Sequence, residues 1–283
     1  MQITNTPNVI GTHITDVDLA RVSDAEFARI ESTFNERGVV CIRQQNISEQ
    51  QLIAFGRRFG GVEPHFLKHY THARHAEILY ISNIKENGKD IGHADAGSVW
   101  HTDMSYTERP PRATLLYALE VPMDTDSGKA LGDTRFSCAA AAYDSLPAET
   151  KQRITGLRAI HQVAGRRAKT GTGQQDQALR GKQPAVVHPV ARTHPITGRK
   201  CLYVSKGECE GIEGMAKEEA LALIDELAER TVEERFRYTH HWQVRDLLMW
   251  DNCTVQHLAS FDYKWPQHRR LMHRVTVGGS ATY

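Results

Sequence analysis

The segment Trp100-His101-Thr102-Asp103 carries the residue types of a metal site. On a β-strand, residues i and i+2 face the same way. This spacing therefore aims the His101 imidazole and the Asp103 carboxylate at one point. A third ligand must come from elsewhere in the chain. His257 is the candidate, closing the run Trp250-Asp251-Asn252-Cys253-Thr254-Val255-Gln256-His257 just past an apolar, strand-like stretch. Two histidines and one carboxylate leave coordination positions open, which is the arrangement of non-haem Fe(II) oxygenases. Zinc accepts the same three ligands with an open site, so the triad alone leaves two metals in play.

The C-terminal arginines separate these readings. In His268-Arg269-Arg270-Leu271-Met272-His273-Arg274, a strand whose pleat starts at Arg270 puts Arg270, Met272 and Arg274 on one face and Arg269 on the other. A guanidinium inside a barrel is costly unless an anion meets it, and it pairs bidentately with carboxylates. A dicarboxylate that chelates the metal at one end and meets an arginine at the other fits both features. A zinc-dependent hydrolase needs a general base near the metal-bound water; the sequence offers no candidate, and the arginine stays unexplained. A non-catalytic jelly-roll binding protein has no use for an intact triad.

The elements that must position these groups read as α/β at first and β-rich afterwards. Ser23 with Glu26 and Ser48 with Gln51 are capping boxes. Phe27, Ile30 and Phe34 follow the first at helical spacing, and Gly38 ends that helix before the strand run Val39-Val40-Cys41-Ile42. Leu52, Phe55 and Phe59 mark a second helix closed by Gly60-Gly61. Short strands are then expected at Ile78–Ser82, Ala113–Glu120, Ala185–Val190, Lys200–Val204, Phe236–Trp242, Asp246–Trp250 and Leu271–Gly278, with helices over Cys138–Leu157 and Met215–Glu229. Many short strands with Gly and Pro turns predict a mainly β fold with flanking helices, a barrel or double-sheet jelly roll. The polar stretch Gly165–Lys182 reads as a loop, a lid or insert at about 160–183 within a single domain over 1–283.

Bulk properties exclude several function classes. The chain has 283 residues, 40% of them hydrophobic, which supports a sizeable core. Lys plus Arg is 35 against Asp plus Glu 34, so the balance gives no support for nucleic-acid or membrane-surface binding. Met1 to Ile14 shows no basic region followed by an apolar one, and no apolar run is long enough for a membrane span. Five cysteines without a CxxC pattern read as free thiols, and a cytoplasmic location is expected. His65, His69, His72 and His75 recur at spacings of 4, 3 and 3; they read as a polar segment bordering a pocket.

Four ordered motifs, WHTDxSY, GDT, WDNxxxxH and RRxMHRxT, resemble the taurine dioxygenase/2,4-dichlorophenoxyacetate dioxygenase family over nearly the whole chain. The resemblance implies a double-stranded β-helix core, Fe(II) at His101, Asp103 and His257, and 2-oxoglutarate and O2 as cosubstrates. It implies that the distal carboxylate of 2-oxoglutarate meets Arg270 and Thr134, and that Arg274 lies near the substrate anion and the chelating end of the cosubstrate. His65 aligns with a substrate-binding histidine. Gly97 stands where the taurine enzyme has a substrate-binding asparagine, and Lys68 where it has a tyrosine. These departures point away from taurine, and Ile81-Ser82-Asn83-Ile84 looks more like the aryloxyalkanoate branch. The implied reaction releases succinate and CO2 and hydroxylates a small anionic substrate, a sulfonate or an aryloxyalkanoate. Asp103, a ligating carboxylate, implies hydroxylation rather than halogenation. A homo-oligomer is expected from the family alone.

Overall fold

A computed structural model describes residues 1–65, 67–166 and 183–283. Most of the expected lid or insert, residues 167–182, lies outside the described residues. The N-terminal part holds strands β1 (Gln2–Asn5), β2 (Thr12–Thr15) and β3 (Val39–Ile42), with helices α1 (Asp24–Arg37) and α2 (Glu49–Arg57). Next come β4 (Thr71–His72), β5 (His75–Ser82), β6 (Lys85–Glu86), β7 (Lys89–Asp90), β8 (Ala113–Glu120) and β9 (Thr134–Cys138). Helices α3 (Ala139–Asp144) and α4 (Ala148–Ile154) lead to β10 (Arg158–His161), β11 (Val186–Pro189), β12 (Ala191–Thr193), β13 (Lys200–Leu202) and β14 (Cys209–Ile212). Helix α5 (Lys217–Thr231) precedes β15 (Arg237–His240), β16 (Leu247–Asp251), β17 (Val255–Ala259) and β18 (Leu271–Val277).

The chain is mostly β. The largest sheet runs β1-β2-β3-β16-β8-β18-β5-β4, and smaller sheets run β15-β9-β17 and β11-β10-β14. Every pairing in the large sheet is antiparallel except β2 with β3. Its central strands are buried on both faces, so their sequences are continuous apolar runs. Val40, Ile42, Leu115, Tyr117, Leu247 and Met249 face one way, against Phe27, Ile30, Phe34, Leu52 and Phe55 of α1 and α2. The alternate residues, Val39, Cys41, Leu116, Leu248 and Trp250, face the other way, toward Phe136 and Val255 of the β15-β9-β17 sheet. The functional side chains lie between these two sheets.

Both capping boxes form: Ser23 and Ser48 accept from the amides of Glu26 and Gln51, whose side chains accept from the cap amides in return. Gly38 ends α1 in the left-handed region at φ 67°. Helix α2 stops at Arg57, before the expected Gly60-Gly61, because Arg58, Phe59 and Gly60 continue in tight turns bonded three residues back. The single helix expected over Cys138–Leu157 is two, since Pro147 disfavours helical geometry at the residue before it. The histidines from 65 to 75 do not share a helix; a 3-10 turn at Lys68–Tyr70 leads into β4 and β5.

Phe34, fully buried, meets Phe59 edge-to-face at 5.5 Å between α1 and the loop after α2. Phe34→Ala is expected to destabilise the fold by about 3–5 kcal/mol, read as a lowered denaturant midpoint with an unchanged slope.

Candidate metal centre and cosubstrate cavity

A two-residue antiparallel bridge brings the histidines together. His101 N–H donates to His257 O at 3.2 Å, and His257 N–H donates to His101 O at 2.8 Å. Their rings sit side by side, with centroids 4.1 Å apart. His257 lies inside β17, opposite Phe136 of β9. The expected strand through His101 and Asp103 does not form: His101 makes one isolated bridge, and Asp103 begins a turn. Met104, with φ 49°, carries the chain through that turn. The carboxylate still reaches the same point, because neighbouring strands hold it rather than strand alternation.

Asp103 Oδ2 accepts from Thr114 Oγ1 at 2.6 Å and from Trp250 Nε1 at 3.1 Å. Thr114 in turn accepts from Asn252 Nδ2 at 3.1 Å, so its proton is directed at the carboxylate. Oδ1 is left facing the histidines, 3.7 Å from His101 Nε2 and 3.9 Å from His257 Nε2. These separations are inside the ~4.2 Å that two donors each about 2.1 Å from one ion can span. His101 Nδ1 lies 2.8 Å from Val99 O, a partner that fixes the tautomer with Nε2 as the free lone pair. Burial, helped by His101 and Arg274, lowers the His257 pKa to about 3, so this imidazole is neutral and able to ligate. Burial pushes the Asp103 carboxyl up, but Arg274, His257 and His101 more than reverse this and hold it well below the usual range. One carboxylate and two imidazole donors around one point fit an Fe(II) ion with open positions.

Arg270 occupies the far end of the same cavity. It is fully desolvated, and burial lowers its pKa. Its Nη1 donates to Gly132 O at 2.8 Å, and the rings of Trp242 and Tyr263 flank it at 5.6 and 5.5 Å. Among the described residues no carboxylate lies within 4.0 Å of it. Ser82 and Asn83 pin its backbone through hydrogen bonds of 2.8 and 2.9 Å. Thr134 Oγ1 accepts from Trp242 Nε1 at 3.1 Å, which leaves its own proton to donate. A positive guanidinium edge and a hydroxyl donor therefore await an anion. Arg274, two turns of the pleat along β18, lies 3.1 Å from Asp103 Oδ1.

The structure thus gathers His101, Asp103, His257, Thr134, Arg270, Arg274 and Gly97 around one cavity. Gly97, at φ 86°, packs where a Cβ would come 3.3 Å from the Ala259 methyl and 3.5 Å from His101 Cε1. His65 lines the adjoining hollow with Met104 and Thr276, the latter one pleat beyond Arg274. Burial and then Arg274 lower its pKa to about 3. Lys68 is exposed. Sequence reasoning missed three supports. Thr114 sits in an apolar strand run with nothing to mark it. Tyr263 lies in an irregular loop. Gly132 stands inside a quoted motif, yet its role is steric: a Cβ there would come 2.3 Å from Arg270 Nη1.

Among the described residues one other trio of ligand types is close enough for an ion, Cys41, His240 and Asp246. Oδ2 of its carboxylate is engaged by Arg43, by the Gln243 amide at 2.9 Å and by His240 at 3.2 Å, while Oδ1 has no hydrogen-bond partner. It reads as a buried charge network joining β3 to the start of β16.

The description "Taurine catabolism dioxygenase TauD, TfdA family" matches residues 2–276, and the chain belongs to that family. It is 36% identical over 256 residues to the alpha-ketoglutarate-dependent 2,4-dichlorophenoxyacetate dioxygenase of Cupriavidus pinatubonensis, covering 86% of each chain. Among solved structures, a taurine dioxygenase from Burkholderia xenovorans superposes with TM-score 0.81 at 27% identity, covering 99% of this chain and 92% of that one. AAD-2 in complex with Mn(II) and N-oxalylglycine gives TM-score 0.80 at 28% identity, covering 99% and 97%.

Thr114→Val keeps the shape of the strand but removes the donor to Asp103 Oδ2. It should weaken Fe(II) affinity about 10–100-fold, measured by competition with a chelator, while the melting temperature changes little.

Proposed function

We propose that this chain is an Fe(II)- and 2-oxoglutarate-dependent dioxygenase that hydroxylates a small organic anion, an aryloxyalkanoate in the first instance. The observation that carries the reading is Arg270: a buried cation with no carboxylate within 4.0 Å among the described residues, at the far end of a cavity whose other end is a two-histidine, one-carboxylate cluster. A molecule with a carboxylate at one end and chelating oxygens at the other satisfies both ends. The named relatives are dioxygenases, which favours this over a zinc-dependent hydrolase or a non-catalytic binding protein.

In this reading His101, Asp103 and His257 hold the iron, Arg270 and Thr134 hold the distal carboxylate of 2-oxoglutarate, and Arg274 and His65 meet the anionic end of the substrate. When iron and cosubstrate are bound, O2 is split: one atom enters succinate as CO2 leaves, and the other enters a substrate C–H bond. The chain's own contribution is placement. The Thr114 and Trp250 donors keep Asp103 ligating through one oxygen and leave the remaining positions to cosubstrate and O2. The neutral imidazole of His65 gives the substrate a hydrogen-bonding partner without adding charge beside Arg274. Hydroxylation beside an ether oxygen yields an adduct that breaks its C–O bond.

Ala94, Ala96 and Gly97 give one cavity wall little more than methyl groups, with Ile81 and Leu116 near them. Those small and apolar side chains support the aryloxyalkanoate choice; a sulfonate such as taurine is the second reading, favoured by the likeness to taurine dioxygenase. We take the two packed sheets as a double-stranded β-helix, or jelly-roll, core forming one catalytic unit over residues 1–283, with the insert near 160–183 as a candidate lid. Five free, buried cysteines suit a reducing cytoplasm, and no helix of the described residues is long and apolar enough to cross a membrane.

The test offers the Fe(II)-loaded protein a panel of aryloxyalkanoates and sulfonates with 2-oxoglutarate and O2. Succinate should form in step with a phenol from the aryloxyalkanoates. Arg270→Met should lower kcat/KM for 2-oxoglutarate by about tenfold or more. Turnover of sulfonates alone would overturn the substrate choice, and unchanged kinetics in Arg270→Met would overturn the cosubstrate assignment.

A further inference from the structure

The loop between β17 and β18 borders the arginine end of the iron cavity. It carries Tyr263, which lines that cavity together with Thr134 and Arg270. The loop is fastened at both ends. Ser260 N–H donates to Asp133 O at 2.9 Å, and Asp262 Oδ1 accepts from the Gly132 amide at 2.7 Å. Further on, Asn83 Nδ2 donates to His268 O at 2.8 Å, and Asn83 Oδ1 accepts from the Arg270 amide at 2.9 Å. Between these anchors the His268 amide donates to Lys264 O at 2.8 Å, and the Lys264 amide donates to His268 Nδ1 at 3.1 Å. These bonds fix where Tyr263 stands.

Tyr263 and Arg270 meet over Gly132. The Tyr263 ring centroid is 5.5 Å from the guanidinium carbon. A Cβ at Gly132 would come 2.3 Å from Arg270 Nη1 and 2.9 Å from Tyr263 Cε1, so the three residues are in close contact. Trp242, which is 1% exposed and donates to Thr134 through Nε1, flanks the same guanidinium at 5.6 Å. Nη1 is tied to Gly132 O, and the Arg270 backbone is pinned by Ser82 and Asn83. A guanidinium held by these contacts keeps one distance from the metal cluster. The two rings differ in how they are supported. Trp242 belongs to the hydrophobic core, whereas Tyr263 is half-buried on a loop, so its removal opens space beside Arg270 without hollowing the core.

A dicarboxylate that chelates the metal at one end and meets this guanidinium at the other is measured by the distance between them. One more methylene makes the chain too long. It must then bow sideways or push the guanidinium back, and close-packed surroundings resist both. We propose that Tyr263 sets the length of the dicarboxylate this cavity accepts: its ring braces Arg270 and walls the distal end, so that 2-oxoglutarate fits and its homologue with one more methylene, 2-oxoadipate, is rejected. The inference rests on the cosubstrate reading above and adds to it the residue that selects the cosubstrate. Tyr263 is a specificity-determining residue that acts by shape, through its ring.

The test titrates 2-oxoglutarate and 2-oxoadipate by calorimetry, without oxygen, into the Fe(II)-loaded full chain as wild type, Tyr263→Ala and Tyr263→Phe. Wild type should prefer 2-oxoglutarate about tenfold or more, the discrimination a pocket gives against one methylene. Tyr263→Ala should reduce that preference to about threefold or less, and Tyr263→Phe, which keeps the ring, should retain it. A loop that was merely loosened would weaken both acids alike and leave their ratio in place. An unchanged ratio in Tyr263→Ala, or equal binding of the two acids by wild type, overturns the inference and leaves the iron and 2-oxoglutarate reading standing. Loss of the preference in Tyr263→Phe assigns it to the hydroxyl and overturns the role of the ring. Wild type that binds neither acid removes the cosubstrate reading and the inference together. Should Tyr263→Ala fail to fold, Tyr263→Leu, which lacks the reach of the ring, is read in the same way.

Discussion

Burying a positive charge with no carboxylate beside it among the described residues is the constraint around which the cavity is organised. Arg270 could have been paired with a carboxylate from any strand that packs near it. Instead it receives a backbone carbonyl, two aromatic rings and a glycine that keeps the approach open. Those groups orient the guanidinium without neutralising it. Leaving such a charge unpaired is destabilising, and an anion entering the cavity would offset that cost. The same logic fixes Thr134, whose hydroxyl is made a donor because Trp242 already fills it as an acceptor.

At the other end, one carboxylate is held by its outer oxygen so that the inner oxygen can ligate. Thr114 and Trp250 belong to adjacent strands of the large sheet, β8 and β16, whose register sets Thr114 opposite Trp250. The metal cluster therefore depends on the pairing of two buried strands, while the His101–His257 bridge ties it to the smaller sheet. Arg274 lies on β18 and Arg270 immediately precedes it, so one stretch of chain positions both positive charges. The fold's contribution is the registration of four strands around a cavity only a few side chains wide.

Much of this was legible in the residues. The HxD spacing, the distant histidine and the alternating arginines by themselves point to an iron and dicarboxylate site. The capping boxes at Ser23 and Ser48 marked both early helices, and Ala113–Glu120 appears as a strand with the bounds expected. The strand expected through His101 and Asp103 does not form, because a short turn can bring i and i+2 together once neighbouring strands supply the hydrogen bonds. Helix ends slipped by a few residues where tight turns or a proline decide the boundary. Thr114, Gly132 and Tyr263 were invisible as functional residues. Thr114 and Gly132 act by contact with residues more than ten positions away, and Tyr263 reaches Arg270 from an irregular loop; such contacts leave no periodic pattern.

The account stands most directly on an anaerobic absorbance titration. Fe(II) and then 2-oxoglutarate are added to the purified protein without oxygen, and the visible spectrum is recorded. A metal-to-ligand charge-transfer band should appear on adding 2-oxoglutarate, be absent in His101→Ala, and require far more 2-oxoglutarate in Arg270→Met. A folded, iron-loaded protein that shows no band, or whose titration is unmoved by the loss of Arg270, would contradict it.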